Sequence, residues 1–196
     1  MELEKEIEFI LFLDALKNVE RRNYNLDDRR RENTAEHSWQ VMVLAQVLYP
    51  YAKNREAVDL LRVLKMLSIH DVVEIKAGDT FIFDEEKMKG KHERELRAAR
   101  ETFGLLEEPL RAEFMALWLE FEAEETPDSV FANAVDRLMP FILNTHNAGT
   151  SWTEAGVTVS QVRKTIAGVV EKASDEMKAV FERLLDKAVA EGKLRK

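Results

Sequence analysis

The sequence predicts an almost entirely α-helical protein. Apolar residues recur at intervals of three and four in nearly every segment of the 196-residue chain, which is the periodicity of one helix face. No segment shows the convincing apolar and polar alternation of a half-buried strand. Segment boundaries fall at Pro50, Gly104, Pro109 and Pro127. We therefore expect helices at about 2–19, 35–49, 54–75, 84–103, 108–124, 127–146 and 159–191.

The first three helices are predicted from apolar spacing and simple end signals. The helix over 2–19 is predicted from the spacing of its apolar residues alone. Thr34 can cap the next helix, and Pro50 ends it. The helix over 54–75 is a long apolar run with His70 and Asp71 near its end. Gly78 follows that run and permits a sharp reversal of the chain.

The later helices are predicted with clearer boundaries. Thr126 before Pro127 gives a cap followed by proline at the first helical position. Ser174 reads as a fresh cap that interrupts the last helix. In the helix over 108–124, the residues at helical spacing predict core or a dimer interface: Phe114, Leu117, Trp118 and Phe121. In the helix over 84–103, the charges predict a solvated face: Glu93, Arg94, Glu95, Arg97, Arg100 and Glu101.

Composition indicates one globular unit. With 45% hydrophobic and 34% charged residues and no repeat or linker, residues 1–196 are expected to form a single domain. No apolar run is long enough to span a bilayer, and the charged start is unlike a signal peptide, so we expect a cytoplasmic location and no membrane contact. The formal net charge of −8 disfavours binding of extended nucleic acid. The absence of cysteine excludes disulfides and thiolate metal sites.

The His70-Asp71 pair, with His37 upstream and Asp136 downstream, could hold one metal ion. Two imidazoles and two carboxylates suit divalent Mn, Co, Ni, Fe or Zn better than Mg. A His-Asp dipeptide alone is more often a surface pair or a satisfied helix end. Two placements favour the metal site: His37 lies in a predicted first helical turn, and Glu74 shares a helix face with His70 and Asp71.

Pro140 lies four residues after Asp136 in the predicted helix 127–146. Because proline has no N–H, it cannot donate to the carbonyl of residue 136. We therefore expect a bend at Pro140 that aims the Asp136 carboxylate toward His37, His70 and Asp71.

These motifs resemble the HD superfamily of metal-dependent phosphohydrolases. Within it, they resemble the 5′-deoxynucleotidase-like branch, through Glu36-His37-Ser38, the segment 70–74 followed by Gly78-Asp79, the segment 136–138 and the segment 149–152. The resemblance covers roughly residues 9 to 170, with a helical extension after it. It implies a helical fold, one divalent metal bound by His37, His70, Asp71 and Asp136, a homodimer, and removal of phosphate from deoxynucleoside 5′-monophosphates.

The resemblance also assigns roles to residues around the metal. Glu74 is expected to be a general base or acid, and Asp79, otherwise a simple turn residue, becomes a second catalytic carboxylate. Trp152 either plugs the core edge or stacks on a ligand. Bacterial relatives have an Arg-Trp pair where this chain has Arg21 without the tryptophan, and Tyr24 could supply the aromatic surface. The candidate substrate contacts are Arg21, Tyr24, Thr80, Lys91 and Trp152.

Other interpretations remain open at the level of sequence. The chain could be an HD hydrolase for another nucleotide or phosphate ester, a nucleotide-binding HD protein without turnover, or a helical interaction protein. The arginines at 29–31 are flanked by Asp27, Asp28 and Glu32, which predicts a solvated loop. His92 and His146 have no paired ligand spacing, so neither is expected at the site.

Overall fold

The computed structural model describes residues 2–195. Helices make up most of it, which confirms the predicted fold class. The main helices are Glu2–Leu13 (α1), Thr34–Leu48 (α2), Leu60–Ile69 (α3), Glu74–Ala77 (α4), Glu85–Met88 (α5), Lys91–Phe103 (α6), Leu110–Ala123 (α7), Pro127–His146 (α8), Thr150–Ala155 (α9), Val159–Val162 (α10), Gly168–Ala173 (α11) and Asp175–Ala190 (α12). Short 3₁₀ turns cover Asp14–Asn18, Tyr49–Tyr51 and Arg55–Ala57, and a π-helical turn covers Arg163–Ala167.

Helix α8 lies at the centre of the fold. Most of its side chains are buried, and it packs against α2, α3, α7, α11 and α12. Its start confirms the prediction, because the Thr126 hydroxyl accepts a hydrogen bond from the Ser129 N–H at 3.1 Å and Pro127 occupies the first helical position. The helix continues through Pro140, and the bend expected there stays a prediction.

A small hairpin corrects the expectation that the chain has no strand. Glu20–Tyr24 (β1) pairs antiparallel with Arg31–Asn33 (β2). The inward-facing side chains of these strands are polar, among them Asn23 and Glu32. The apolar alternation that identifies a strand in a sequence is therefore missing here. Packing of the hairpin against α2, α8 and α9 holds it in place instead.

Several predicted helices are shorter than expected. Helix α3 begins only at Leu60, because the Asp59 carboxylate accepts from the Leu61 N–H at 3.0 Å and so caps it there. The predicted helix 84–103 divides at Gly90, whose φ of 67° lies in the left-handed region. The last helix is interrupted at the predicted Ser174 cap and also at the π-helical turn. Helix α9 lies in a segment that the sequence indicated as a loop.

The cap of α2 is Asn33, which corrects the prediction of Thr34. The Asn33 side chain accepts from the Glu36 N–H at 3.0 Å, and the Glu36 side chain accepts from the Asn33 N–H at 3.3 Å. Thr34 is the first residue of the helix, and its hydroxyl donates to Glu74 Oε2 at 2.9 Å. The start of α2 is thus connected directly to the helix that carries Glu74.

The aromatic run of α7 belongs to the core. Leu117, Trp118 and Phe121 are buried, as one of the two predicted alternatives required. Helix α7 packs on α3, α6 and α8 through this face. Within residues 2–195, no helix has the length and hydrophobicity to span a membrane.

Candidate metal centre and its cavity

Three distant segments bring the four predicted ligands together. His37 lies in the first turn of α2, His70 and Asp71 follow the end of α3, and Asp136 lies in the middle of α8. One potential ligand atom from each of the four lies within 4.8 Å of all the others. The grouping matches the set named from the sequence.

The histidines direct the same ring nitrogen into this cluster. His37 Nε2 lies 2.7 Å from Asp136 Oδ1 and 3.8 Å from Asp71 Oδ2. His70 Nε2 lies 3.2 Å from Asp71 Oδ2 and 3.4 Å from Asp136 Oδ1. Two imidazole nitrogens and two carboxylates therefore converge on a volume of the size that a single ion occupies.

His70 provides a direct test of whether the cluster fits a metal. Its Nδ1 is 2.9 Å from the carbonyl oxygen of Leu67, which fixes Nδ1 as the protonated nitrogen of the neutral ring. Its Nε2 is then an acceptor, and this buried atom has no hydrogen-bond partner among the described residues. A divalent cation at the cluster would satisfy this nitrogen, so the residues present fit a bound metal.

The electrostatics of the cluster favour a cation. Burial lowers the pKa of His70, but the adjacent Asp71 and Asp136 outweigh burial and hold this pKa well above its ordinary value. Burial and the Arg21 charge lower the pKa of His37, but the hydrogen bond to Asp136 and the neighbouring Glu32 carboxylate raise it above the ordinary value. The carboxylates shift the other way, because the histidines hold the pKa values of Asp71 and Asp136 below their usual range despite burial. The site is thus arranged for positive charge.

Arg21 lies beside the cluster, on β1. Its Nη1 donates to Asp71 Oδ2 at 2.8 Å and lies 3.9 Å from both Glu74 Oε1 and Asp79 Oδ1. Burial lowers the pKa of Arg21, but these carboxylates more than compensate, so the guanidinium stays charged. One cation therefore contacts three of the acidic groups at the site.

The pKa values of Glu74 and Asp79 are raised, whereas those of Asp71 and Asp136 are lowered. Burial and the neighbouring Asp71 charge raise the pKa of Glu74 well above its ordinary value, against the opposing effect of Arg21. Burial also raises the pKa of Asp79, with Asp71 adding to the increase. Groups of raised pKa beside carboxylates that stay ionised are typical of proton-transfer sites.

The cluster opens into a cavity of about 420 Å³. Many of its lining residues are polar or charged, and the loop after α4 adds two aromatic side chains, Phe81 and Phe83, whose ring centroids are 5.2 Å apart. The candidate residues that line it are Arg21, His70, Asp71, Glu74, Asp79, Thr80, Lys91, Asp136 and Trp152. His37 closes the cluster from behind, fully buried.

Two candidate substrate contacts, Tyr24 and Trp152, have further packing or hydrogen-bond partners in the structure. Tyr24 is outside the described lining of the cavity, and its hydroxyl donates to Glu154 at 3.0 Å. Phe81 and Phe83 are aromatic side chains that do line the cavity. Trp152 is only 2% exposed and its ring lies 5.8 Å from that of Phe141, so it packs at the edge of the core while bordering the cavity.

Several residues at the site were not predicted from the sequence, among them Glu32, Glu95, His92, Phe81 and Phe83. Glu32 and Glu95 were assigned to solvated surfaces, but their exposed fractions are 1% and 3%. Glu95 lines the cavity and pairs with Lys91 Nζ at 3.1 Å, and its position four residues after Lys91 was the available signal. His92 also lines the cavity, stacked on Trp118 with centroids 6.2 Å apart. Burial raises the pKa of Glu95 to about 7, against the opposing effect of Lys91.

Known proteins resemble this chain over most of its length. The family model for the HD domain matches residues 13–178. The 5′-deoxynucleotidase HDDC2 of Danio rerio is 26% identical over 137 residues, and that of Homo sapiens is 27% identical over 132 residues. These matches cover 69% and 67% of this chain, and 66% and 62% of the two relatives.

The structure also resembles a solved one. A crystal structure titled as a predicted metal-dependent phosphohydrolase from Magnetospirillum magnetotacticum MS-1 superposes with a TM-score of 0.92 at 43% identity. The match covers 100% of this chain and 99% of that one.

Proposed function

This chain belongs to the HD domain family, and we propose that it is a metal-dependent phosphohydrolase that releases phosphate from deoxynucleoside 5′-monophosphates. The observation that carries the proposal is the cluster itself. Two histidine nitrogens and two carboxylates converge at the inner end of a cavity, beside a buried cation and two carboxyl groups of raised pKa. A site of this composition suits a phosphate ester.

His37, His70, Asp71 and Asp136 would hold the metal. Their mixed nitrogen and oxygen donors favour Mn, Co, Ni, Fe or Zn over Mg. When bound, a divalent ion supplies Lewis-acid polarisation of a phosphate oxygen and makes a water molecule more acidic.

Arg21 would bind the phosphate group. Its guanidinium is buried among carboxylates and remains charged, so it can form a paired, charge-assisted contact with phosphate oxygens. Lys91, which also lines the cavity, is our second candidate for a phosphate contact.

Glu74 would transfer the proton. Burial and the Asp71 charge raise its pKa well above that of an ordinary glutamate, and a carboxyl group of raised pKa can accept a proton from water or give one to the leaving sugar oxygen. The Thr34 hydroxyl donates to Glu74 Oε2 and leaves Oε1 on the side of Arg21. Asp79 would share the proton transfer or, with Thr80, orient the sugar hydroxyl.

The nucleotide assignment is supported by the size and lining of the cavity. A volume of about 420 Å³ lies within the common range for small-ligand sites, about 300–1,000 Å³. Phe81 and Phe83 offer apolar faces for a nucleobase in a cavity that charged residues also line. The preference for the deoxy sugar is supported by the curated relatives, which are named 5′-deoxynucleotidases.

A phosphate-release screen tests the function. Deoxy- and ribonucleoside 5′-monophosphates, nucleoside triphosphates and non-nucleotide phosphate esters are each supplied with Mn, Co, Ni, Zn or Mg. We expect the fastest release from deoxynucleoside monophosphates with a transition metal. Equal rates on ribonucleotides would contradict the sugar preference. Binding of nucleotide without release under any metal would support a non-catalytic HD protein instead.

We further propose a cytoplasmic homodimer. Trp39, Val43 and Val47 share one face of α2, and their side chains are among the exposed large hydrophobic groups, with Trp39 63% exposed. A contiguous apolar face of this kind is typical of a protein interface.

Val43→Glu tests the dimer because it places a charge in the middle of this face. We expect the wild-type protein to have the mass of a dimer by light scattering after size exclusion, and Val43→Glu to have the mass of a monomer. Leu61→Glu, at an exposed leucine of α3, is the matched control and is expected to remain dimeric. A monomeric wild-type protein would contradict the proposal.

A further inference from the structure

Glu32 is a buried carboxylate that the mechanism above does not use. It lies in β2 with an exposed fraction of 1%, five residues before His37. Burying a charge is costly unless opposite charge or hydrogen-bond donors compensate it. Its surroundings therefore indicate what the residue does.

Three buried atoms without hydrogen-bond partners converge at this carboxylate. They are Glu32 Oε2, Arg21 Nε and His37 Nδ1. Glu32 Oε2 lies 3.4 Å from Arg21 Nε and 3.5 Å from His37 Nδ1. Both nitrogens can act as donors, and this oxygen is an acceptor at 3.4–3.5 Å from each of them, so the three atoms can satisfy one another only by meeting here.

Each of the two histidines of the cluster has an oxygen opposite its Nδ1. In His70, the Leu67 carbonyl holds Nδ1 and leaves Nε2 for the cluster. In His37, Nε2 also faces the cluster, and the group opposite Nδ1 is the Glu32 carboxylate. A metal-binding histidine commonly donates its second N–H to a carbonyl or carboxylate, which fixes the tautomer and the ring orientation.

We propose that Glu32 is a positioning residue that holds His37 with Nδ1 protonated and Nε2 free for the metal, and that the same oxygen orients Arg21 toward the phosphate. This inference rests on the proposed function. It links the metal ligand and the phosphate contact through one side chain, so a change at residue 32 affects both.

Metal titration of the metal-free protein tests the first half of the proposal. Loss of such a support typically weakens metal affinity about 10- to 100-fold. We expect that decrease for zinc binding by Glu32→Ala, and a smaller decrease for Glu32→Gln, whose amide oxygen keeps a neutral acceptor. Glu36→Gln is the matched control, because it removes one charge from the same helix start and keeps a side chain able to complete the capping box.

Nitrogen NMR of the zinc-loaded protein provides a readout that loss of stability alone would not change. In the wild-type protein we expect a protonated Nδ1 and a metal-bound Nε2 for His37, and in Glu32→Ala a mixture of ring states. Should Glu32→Ala fail to fold, Glu32→Gln carries both measurements. Zinc affinity within twofold of the Glu36→Gln control, together with an unchanged His37 spectrum, would overturn the inference.

Titration with inorganic phosphate tests the second half. We expect the zinc-loaded Glu32→Ala protein to bind phosphate more weakly than the Glu36→Gln control, and equal affinities would exclude the role at Arg21. None of these measurements needs turnover. Zinc binding that depends on Glu32 without any hydrolysis would contradict only the proposed function, whereas a wild-type protein that binds no divalent metal would contradict both.

Discussion

At the scale of single residues, the carboxyl groups of the site differ in pKa because their surroundings differ. Asp71 and Asp136 face histidines, which keep the pKa of each low and the group ionised. Glu74 faces Asp71 in a buried position, which raises its pKa. Under the proposed function, the same functional group would bind metal at two positions and transfer a proton at another.

This separation predicts different consequences for Glu74→Ala and His70→Ala. Glu74→Ala is expected to keep its metal and to lose about 10²- to 10⁴-fold in turnover, the usual contribution of a general acid or base. His70→Ala, the comparison variant, is expected to lose both metal and activity because it removes a ligand. Metal content after dialysis and the rate of phosphate release check both variants. Loss of metal from Glu74→Ala would make Glu74 a ligand.

Glu95 predicts a pH dependence of stability. Its pKa of about 7 in the folded protein lies above its ordinary value of 4.5, so the folded state binds the proton more tightly than the unfolded state. The resulting contribution to the free energy of unfolding is complete below about pH 4.5 and is lost as the pH rises through about 7. Glutamine does not titrate, so the Glu95→Gln protein does not lose this stabilisation as the pH rises. The free energy of unfolding of Glu95→Gln minus that of wild type should therefore increase between pH 5 and pH 8, by at most about 3 kcal/mol.

Urea unfolding at several pH values checks this expectation. Glu93→Gln is the control, because it removes the same charge from an exposed position on the same helix. A constant difference between wild type and Glu95→Gln over this pH range would contradict the raised pKa.

The burial of Glu32 and Glu95 could not be predicted from the sequence, whereas the place of Asp136 at the site could. Asp136 was identifiable, because its place in the order of motifs gave it a role. Glu32 and Glu95 stand among other charges, where local pattern indicates solvent. Glu32 is buried by contacts with residues distant in sequence, and Glu95 is buried because its face of the helix packs inward. Neither property can be predicted from the neighbouring residues.

At the scale of elements, local signals predicted boundaries where a side chain acts on its own helix. Thr126 and Ser174 cap the helices that follow them, as expected. The β1–β2 hairpin was not predictable in this way, because its inner face is polar and tertiary packing holds it. The helix predicted over 54–75 ends at Ile69 in the structure, because a turn follows that places His70 beside Asp136 of α8. This turn was not predicted either.

Pro140 gives a prediction for α8. Because proline cannot donate to the Asp136 carbonyl, it is expected to bend the helix and set the direction of the Asp136 carboxylate. Pro140→Ala should restore that hydrogen bond, straighten the helix and weaken metal affinity even if thermal stability rises. Metal titration and thermal unfolding separate the two effects, with Pro50→Ala as a control outside α8. Unchanged metal affinity would show that the proline serves packing alone.

At the scale of the whole molecule, the cluster connects parts of the chain that are distant in sequence. Its four candidate ligands come from α2, the turn after α3 and the middle of α8, the helix around which the fold is built. A metal bound there would join three elements at one point. The native state would hold the metal and the unfolded chain would not, so binding should stabilise the fold.

Metal removal therefore provides a test of the whole architecture. At a free metal concentration of 100 times Kd, binding to the native state alone adds about 2.7 kcal/mol to the free energy of unfolding. For a domain of this size, that corresponds to a rise in Tm of roughly 5–10 °C. We expect Mn²⁺ to raise the Tm of chelator-treated protein by this amount, and Mg²⁺ to raise it less, because the imidazole ligands disfavour it. His70→Ala should abolish the Mn²⁺ effect, since the increase requires the complete ligand set. An equal increase in wild type and His70→Ala would mean that the metal stabilises the protein elsewhere and would exclude the cluster as the metal centre.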